Sequence, residues 1–167
     1  MTDPAEVVSD ACGIQRRGSR LALAPGELGA FLTKARTCRV ATISNHGPHV
    51  SPLWYVWSGQ SVWLYSIVSS QRFKDLQRDP KVAVVIDDGS EYQELRGVEI
   101  TGRAVVVGEV PRVGTDIAEL RDAEAAFAHK YQGREDLRYD GHHAWIRVDS
   151  TKIVSWDFRK LATDHAH

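Results

Sequence analysis

Apolar positions recur at helical spacing near the start of the chain. They alternate through its middle, return once to helical spacing, and alternate again towards the end. Leu28, Phe31 and Leu32 fall at i, i+3 and i+4 and predict a short helix over Pro25–Ala35, with Pro25 in its first turn. Arg39–Ser44 alternates as a strand, and Asn45-His46-Gly47-Pro48 is a turn signal. A hairpin follows, its arms His49–Trp57 and Val62–Ile67 joined by Ser58-Gly59-Gln60-Ser61. Ser69-Ser70-Gln71 then leads into a short basic helix, Arg72–Gln77. Lys81–Ile86 is a nearly continuous β-branched run, the pattern of a strand buried on both faces. After the turn Asp87-Asp88-Gly89-Ser90, Tyr92–Leu95 leads into a long strand, Val98–Val107, in which Gly102 marks a bulge or bend.

Beyond Pro111 the period changes. Ile117, Leu120, Ala123, Glu124 and Phe127 mark an amphipathic helix from about Asp116 to Tyr131, closed by Gln132-Gly133. Two further strands, Ala144–Val148 and Ile153–Trp156, are separated by Asp149-Ser150-Thr151. Six or seven short strands with one sizeable helix predict a mainly β fold. An antiparallel barrel with peripheral helices suits that order better than βαβ winding. Residues 1–20, polar and carrying Arg16, Arg17 and Arg20, read as a flexible arm, and residues 21–167 as one domain.

Composition narrows the chemistry. A length of 167 residues suits a single domain, and an apolar share of 43% is enough for one core. The formal net charge of -1 gives no global field to recruit nucleic acid or an acidic membrane. Its cations are local, which suits a small anionic ligand. Cys12 and Cys38 lie far apart without CxxC spacing, so a reducing compartment is expected. No apolar run approaches the ~20 residues of a membrane span. The acidic N-terminal stretch lacks a signal-peptide core, and the expected location is the cytoplasm.

The densest candidate chemistry lies at the strand–helix junction. Ser66, Ser69, Ser70, Arg72 and Lys74 gather where a strand ends in hydroxyls and opens a helix. Amides at a helix start favour an anion, Arg72 can fork two phosphate oxygens, and Lys74 adds a point charge. The same pattern also describes an ordinary turn before a solvated helix. GxGxxG and GxxxxGK[ST] are both absent. Aromatics crowd the hairpin: Trp54, Tyr55, Trp57, Trp63 and Tyr65. Period 2 sets Trp54 on one face and Tyr55 and Trp57 on the other, so two apolar partners are needed. One is the barrel interior; the other is a flat ring system or a second subunit. The adjacent His142 and His143 diverge along a strand, and no HExxH, Cys/His spacing or GxSxG occurs, so neither a metal centre nor a serine triad is expected. Cys38 reads as a buried structural thiol. Ile153–Lys160 places two aromatics and two cations after the last strand, as an edge strand with a basic tail or as a flap over a ligand.

Four segments in this order, RVATISNHGPHVSPLWYVW, VWLYSIVSSQRFKDLQRDPKVAVVIDD, VEITGRAVVV and WIRVDSTKIVSWD, resemble the pyridoxamine 5'-phosphate oxidase-like split β-barrel superfamily of flavin and deazaflavin oxidoreductases. The likeness runs from about Phe31 to Arg159. The helix after the third segment and the strand with Trp156 look most like the actinobacterial branch that uses coenzyme F420. That resemblance implies a homodimer with a cofactor at the subunit interface and a small-molecule substrate. It implies that Val50, Ser51, Pro52, Leu53 and Trp54 lie along the tricyclic ring. Ser66, Ile67, Val68, Ser69 and Ser70 would line the ribityl chain and phosphate, with Arg72 and Lys74 as the clamp. Trp156 and Arg159 would approach from the C-terminal region. Arg39, Arg72, Lys74 or Lys160 would receive the anionic tail of a deazaflavin, whereas FMN ends at the phosphate. The implied activity is an F420-dependent reductase passing hydride to an unsaturated or conjugated acceptor, with no catalytic side chain assigned. FMN-dependent oxidation or reduction, and non-catalytic cofactor or haem binding, are the alternatives. No arginine-and-histidine set for a pyridoxal phosphate substrate stands near the C-terminus, which argues against vitamin B6 oxidation.

Overall fold

In the computed structural model, which describes residues 18–165, the alternating segments form six strands. They are β1 (Thr37–Ser44), β2 (Gly47–Ser58), β3 (Ser61–Ile67), β4 (Lys81–Asp88), β5 (Arg96–Val107) and β6 (His143–Asp157). All pairings are antiparallel, and the sheet closes in the order β1-β2-β3-β6-β5-β4. The mainly β barrel expected from the sequence is thus present, with six strands. Three helices accompany it: α1 (Pro25–Lys34), α2 (Gln71–Arg78) and α3 (Arg121–Phe127), the last entered through a 3-10 turn and continued by a π turn, Ala128–Gln132. Most of the predicted arm, including Arg16 and Arg17, lies outside the described residues; Ser19–Leu21 forms a 3-10 turn.

Period 2 fills the barrel. Cys38 and Val40, Tyr55, Val62 and Leu64, Val82, Val84 and Ile86, Val98 and Ile100, and Ala144, Ile146 and Val148 form one buried cluster. Leu28, Phe31 and Leu32 of α1 join it, as their spacing predicts, each adding about 1.5–3 kcal/mol of burial. Pro25 opens α1, and Glu27 Oε2 accepts the Ala24 N–H at 2.8 Å, so a first-turn donor is satisfied. The hairpin turn has positive φ at both Gly59 and Gln60, the type I′ geometry that matches strand twist.

A second cluster lies outside the barrel wall. Val56, Trp63, Tyr65 and Trp145 of the sheet pack against Leu120, Ala123, Phe127 and Ala128 of the α3 region. Trp63 and Trp145 meet edge to face at 6.3 Å. The second aromatic face of the hairpin is therefore covered largely by the chain's own helix. The reading that it required a ring system or a second subunit is corrected for Trp63 and Tyr65.

Two other expectations are also corrected. β4 is buried on alternate residues only: Val82, Val84 and Ile86 face the core while Ala83 and Val85 stay partly open. Ala144–Val148 and Ile153–Trp156 belong to one strand, because a bulge absorbs the polar interruption. Thr101 pairs with Lys152 and Gly102 with Ser150, so Thr151 is the extra residue. A Cβ at Gly102 would collide with the Asp149 carbonyl, so glycine is what allows this approach. No described helix is long and apolar enough to cross a membrane.

Candidate functional site

β2 changes partner midway. Gly47–Trp54 pairs with β1, whereas Tyr55–Ser58 pairs with β3. Below Tyr55 the two strands of the hairpin part, and the barrel wall is split between them. Pro52, Leu53 and Trp54 on one side, and Tyr65, His143, Phe127 and Thr37 around it, line a cleft of about 350 Å³. Such a volume lies within the usual range of small-molecule sites, roughly 300–1,000 Å³.

Arg72 spans the split. Its Nε donates to Ser66 Oγ of β3 at 3.3 Å, and its Nη1 donates to Ser51 Oγ of β2. Only 6% of the residue is exposed. Burial pushes the guanidinium pKa down, yet among the described residues no carboxylate pairs with it. A buried cation held only by hydroxyls leaves its charge uncompensated, a costly arrangement that an anion would relieve. Ser70 caps α2, its side chain accepting the Phe73 N–H at 3.2 Å. The amides of Gln71 and Arg72 precede any intrahelical acceptor, so they add positive potential at the same place. Side chain and helix start thus fit a phosphate group.

Other positions expected for the site divide by face. Ser51 turns inward to Arg72, and Leu53 packs on the barrel core. Val50, Pro52 and Trp54 turn outward; Trp54 is half-exposed and stacks on Tyr131 at 4.6 Å and 11°. Ile67 and Ser69 are exposed beside the bend, and Val68 N–H is used by the His142 carbonyl at 2.9 Å. Lys74 is exposed on α2.

The structure does not bring Trp156 and Arg159 to this place. Ser66 pairs with Ala144 at the start of β6, whereas Trp156 pairs with Gly97 at its far end. The Trp156 ring lies over Gly97, and Arg159 is tied to Asp157 at 2.5 Å. Arg39 is bound to Asp87, and Lys160 donates to Glu27 Oε2 at 2.8 Å.

Tyr65, His143, Phe127 and Thr37 were not singled out as site residues in the sequence. Tyr65 and His143 stack at 4.8 Å, and His143 Nδ1 lies 2.7 Å from Asp140 Oδ2. The Tyr65 hydroxyl is buried and has no hydrogen-bond partner among the described residues, and its pKa is pushed up by burial. Only the crowding of aromatics on the hairpin signalled this group. The expected structural cysteine is confirmed: Cys38 is fully buried, and burial pushes its thiol up to about 12.

A split barrel with a cationic bend beside the split has relatives. The sequence pattern of the family described as pyridoxamine 5'-phosphate oxidase matches residues 24–157. The chain belongs to this family. No curated protein matches it significantly. Among solved structures, a conserved hypothetical protein from Mycobacterium tuberculosis superposes with a TM-score of 0.72 at 27% identity, covering 93% of this chain and 96% of that one. An FAD-binding protein from Mycobacterium smegmatis gives 0.58 at 21% identity over 81% of this chain and 95% of its own. A structure described as an F420 reductase gives 0.53 at 20% identity over 75% and 94%. The barrel is therefore that of this family, and these solved structures share it.

Proposed function

We propose that the chain is an F420-dependent reductase that holds the deazaflavin in the β2–β3 split and works as a homodimer. The observation that carries this reading is Arg72: a buried guanidinium with no carboxylate among the described residues, at a helix start, beside a cleft lined by aromatic rings. The likeness to an F420 reductase supports the choice of cofactor. When bound, the deazaflavin supplies hydride chemistry towards an unsaturated or conjugated small molecule. This chain's residues do the rest. Arg72 and the α2 amides bind the phosphate, Ser66, Ser69 and Ser70 flank the chain leading to it, and Pro52, Leu53 and Trp54 wall the ring. Tyr65, Phe127 and His143 exclude water from the other side of the cleft, so positioning supplies most of the acceleration.

An apolar outer face supports the dimer. Thr42, Val40 and Cys38 point into the barrel, so Ile43 and Ala41 of β1 and Val50, Pro52 and Trp54 of β2 point out. Ile43, Val50 and Trp54 are respectively 45%, 61% and 50% exposed. Ala83 pairs with Ala41 and Val85 with Arg39, extending this face onto β4. In a dimer closed on it, Trp156 and Arg159 would reach the partner's cleft rather than their own.

One observation favours the same site holding FMN. Arg39 and Lys160, two cations otherwise available for a deazaflavin's anionic tail, are engaged by Asp87 and Glu27. Titration of the purified protein with each cofactor decides between them. The F420 reading expects fluorescence quenching of added F420 and acceptor-dependent oxidation of its reduced form. A yellow preparation that releases FMN gives the site to FMN, and a Soret band gives it to haem.

A further inference from the structure

Outside the split, a second cleft of about 370 Å³ lies between the end of α1, the end of β2 and α3 with its π turn. Thr33, Arg36, Val56, Trp57, Ala126, His129 and Lys130 line it. Its walls are Val56, Trp57 and Ala126, its rim carries Arg36, His129 and Lys130, and among the described residues no carboxylate lines it. The neighbouring cleft is built differently: there Arg39 faces Asp87 and Arg96 faces Asp88.

Lys130 is held in place. Its Nζ donates to the Ala35 carbonyl and, at 3.4 Å, to that of Tyr55, and it sits 4.5 Å from the Tyr55 ring centroid. An ammonium has three protons, so one stays available. Arg36 lies over the Tyr131 ring at 4.9 Å, and among the described residues no carboxylate pairs with it or with Lys130. Burial, and next the charge of Arg36, push the Lys130 amine down to about 8, the behaviour of a half-buried cation lacking a counter-ion.

We infer that this cleft is a binding site for a small aromatic monoanion, of the aryl carboxylate class, whose ring packs on Trp57 and Ala126 and whose carboxylate meets Arg36 and Lys130. A flat carboxylate matches the arginine fork, and the lysine adds a third charge-assisted donor. The inference is independent of the cofactor reading, because it uses none of the residues around Arg72.

Calorimetric titration of the full chain with 2-naphthoate and with its neutral isostere 2-naphthamide tests it. Naphthoate should bind about ten-fold or more tightly than the amide, since charge-assisted bonds from Arg36 and Lys130 are largely lost with the neutral ligand. The indole N–H resonance of Trp57, assigned with W57F, should shift on binding. Arg36→Gln should cut the preference for the anion several-fold; Arg36 is exposed, so this variant keeps the fold, whereas Lys130→Gln removes bonds that hold the π turn. Arg72→Ala should leave naphthoate binding unchanged. Equal affinity for acid and amide, no binding at about 1 mM, or binding lost in Arg72→Ala but kept in Arg36→Gln would each overturn the site.

Discussion

Arg72 and Lys74 stand two positions apart in the sequence but play unequal parts. Arg72 is buried across the split and bonded to Ser51 and Ser66, whereas Lys74 is exposed on α2. Arg72→Ala should weaken cofactor binding by about 1.5–3 kcal/mol, the worth of a charge-assisted hydrogen bond set in a buried place. Lys74→Ala should cost less than about 1 kcal/mol, because an exposed charge is screened. Fluorescence titration of both variants checks the ranking, with circular dichroism to confirm that each is folded. Sequence spacing placed both cations at one helix start. It did not show that residue 72 points back under the strands, because that depends on where α2 docks. The hydroxyls that receive Arg72 come from two strands, and only Ser66 was marked as its neighbour in the sequence.

At the scale of elements, the π turn and α2 are the parts that shape the split. Tyr131 Oη lies 2.7 Å from the Tyr55 carbonyl and 2.6 Å from that of Arg36, and accepts the Tyr55 N–H at 3.2 Å. It thereby holds β2 where the strand changes partner. Tyr131→Phe should lower unfolding free energy by about 1–3 kcal/mol, since backbone groups lose their partner. Near-UV circular dichroism should also show Trp54 losing its fixed stacking. α2 is anchored by Asp75, which is fully buried and accepts from Thr42 Oγ1 at 2.9 Å and Gln71 Nε2 at 2.7 Å. Burial raises its pKa, but the bonds from Gln71 and Thr42 and the charges of Arg78 and His49 outweigh it, and the net shift is downward. The folded pKa lies below the unfolded one, so the stabilisation is complete above about pH 4 and is lost as pH falls further. Asp75→Asn should flatten the acid fall in stability seen by urea titration between about pH 4 and 2, besides costing stability at neutral pH. The period-2 segments and the α1 triad were legible because each faces one core. β6 was not read as one strand, since Asp149-Ser150-Thr151 has turn composition and only the pairing with Gly102 shows a bulge. The docking of α3 over Trp63 and Tyr65 is a long-range contact that no local pattern encodes.

For the whole molecule, the outer face of β1, β2 and β4 decides whether the split is a complete site. With Ile43, Val50 and Trp54 exposed beside the cleft, closure by a second copy would bury them and supply Trp156 and Arg159. Sedimentation equilibrium should give twice the 18.6 kDa chain mass, and Val50→Asp should give the single chain with weakened cofactor binding. A Val50→Asp dimer of undiminished affinity would place the interface elsewhere. The fold class followed from the sequence because alternation is local, but the split did not, because it arises where one strand exchanges partners. Crystals grown with F420, or with FMN, test directly whether Arg72 binds a cofactor phosphate. A phosphate is expected within hydrogen-bond distance of the Arg72 guanidinium, with the ring system between β2 and β3. Cofactor density elsewhere, with Arg72 still bonded only to Ser51 and Ser66, would contradict it.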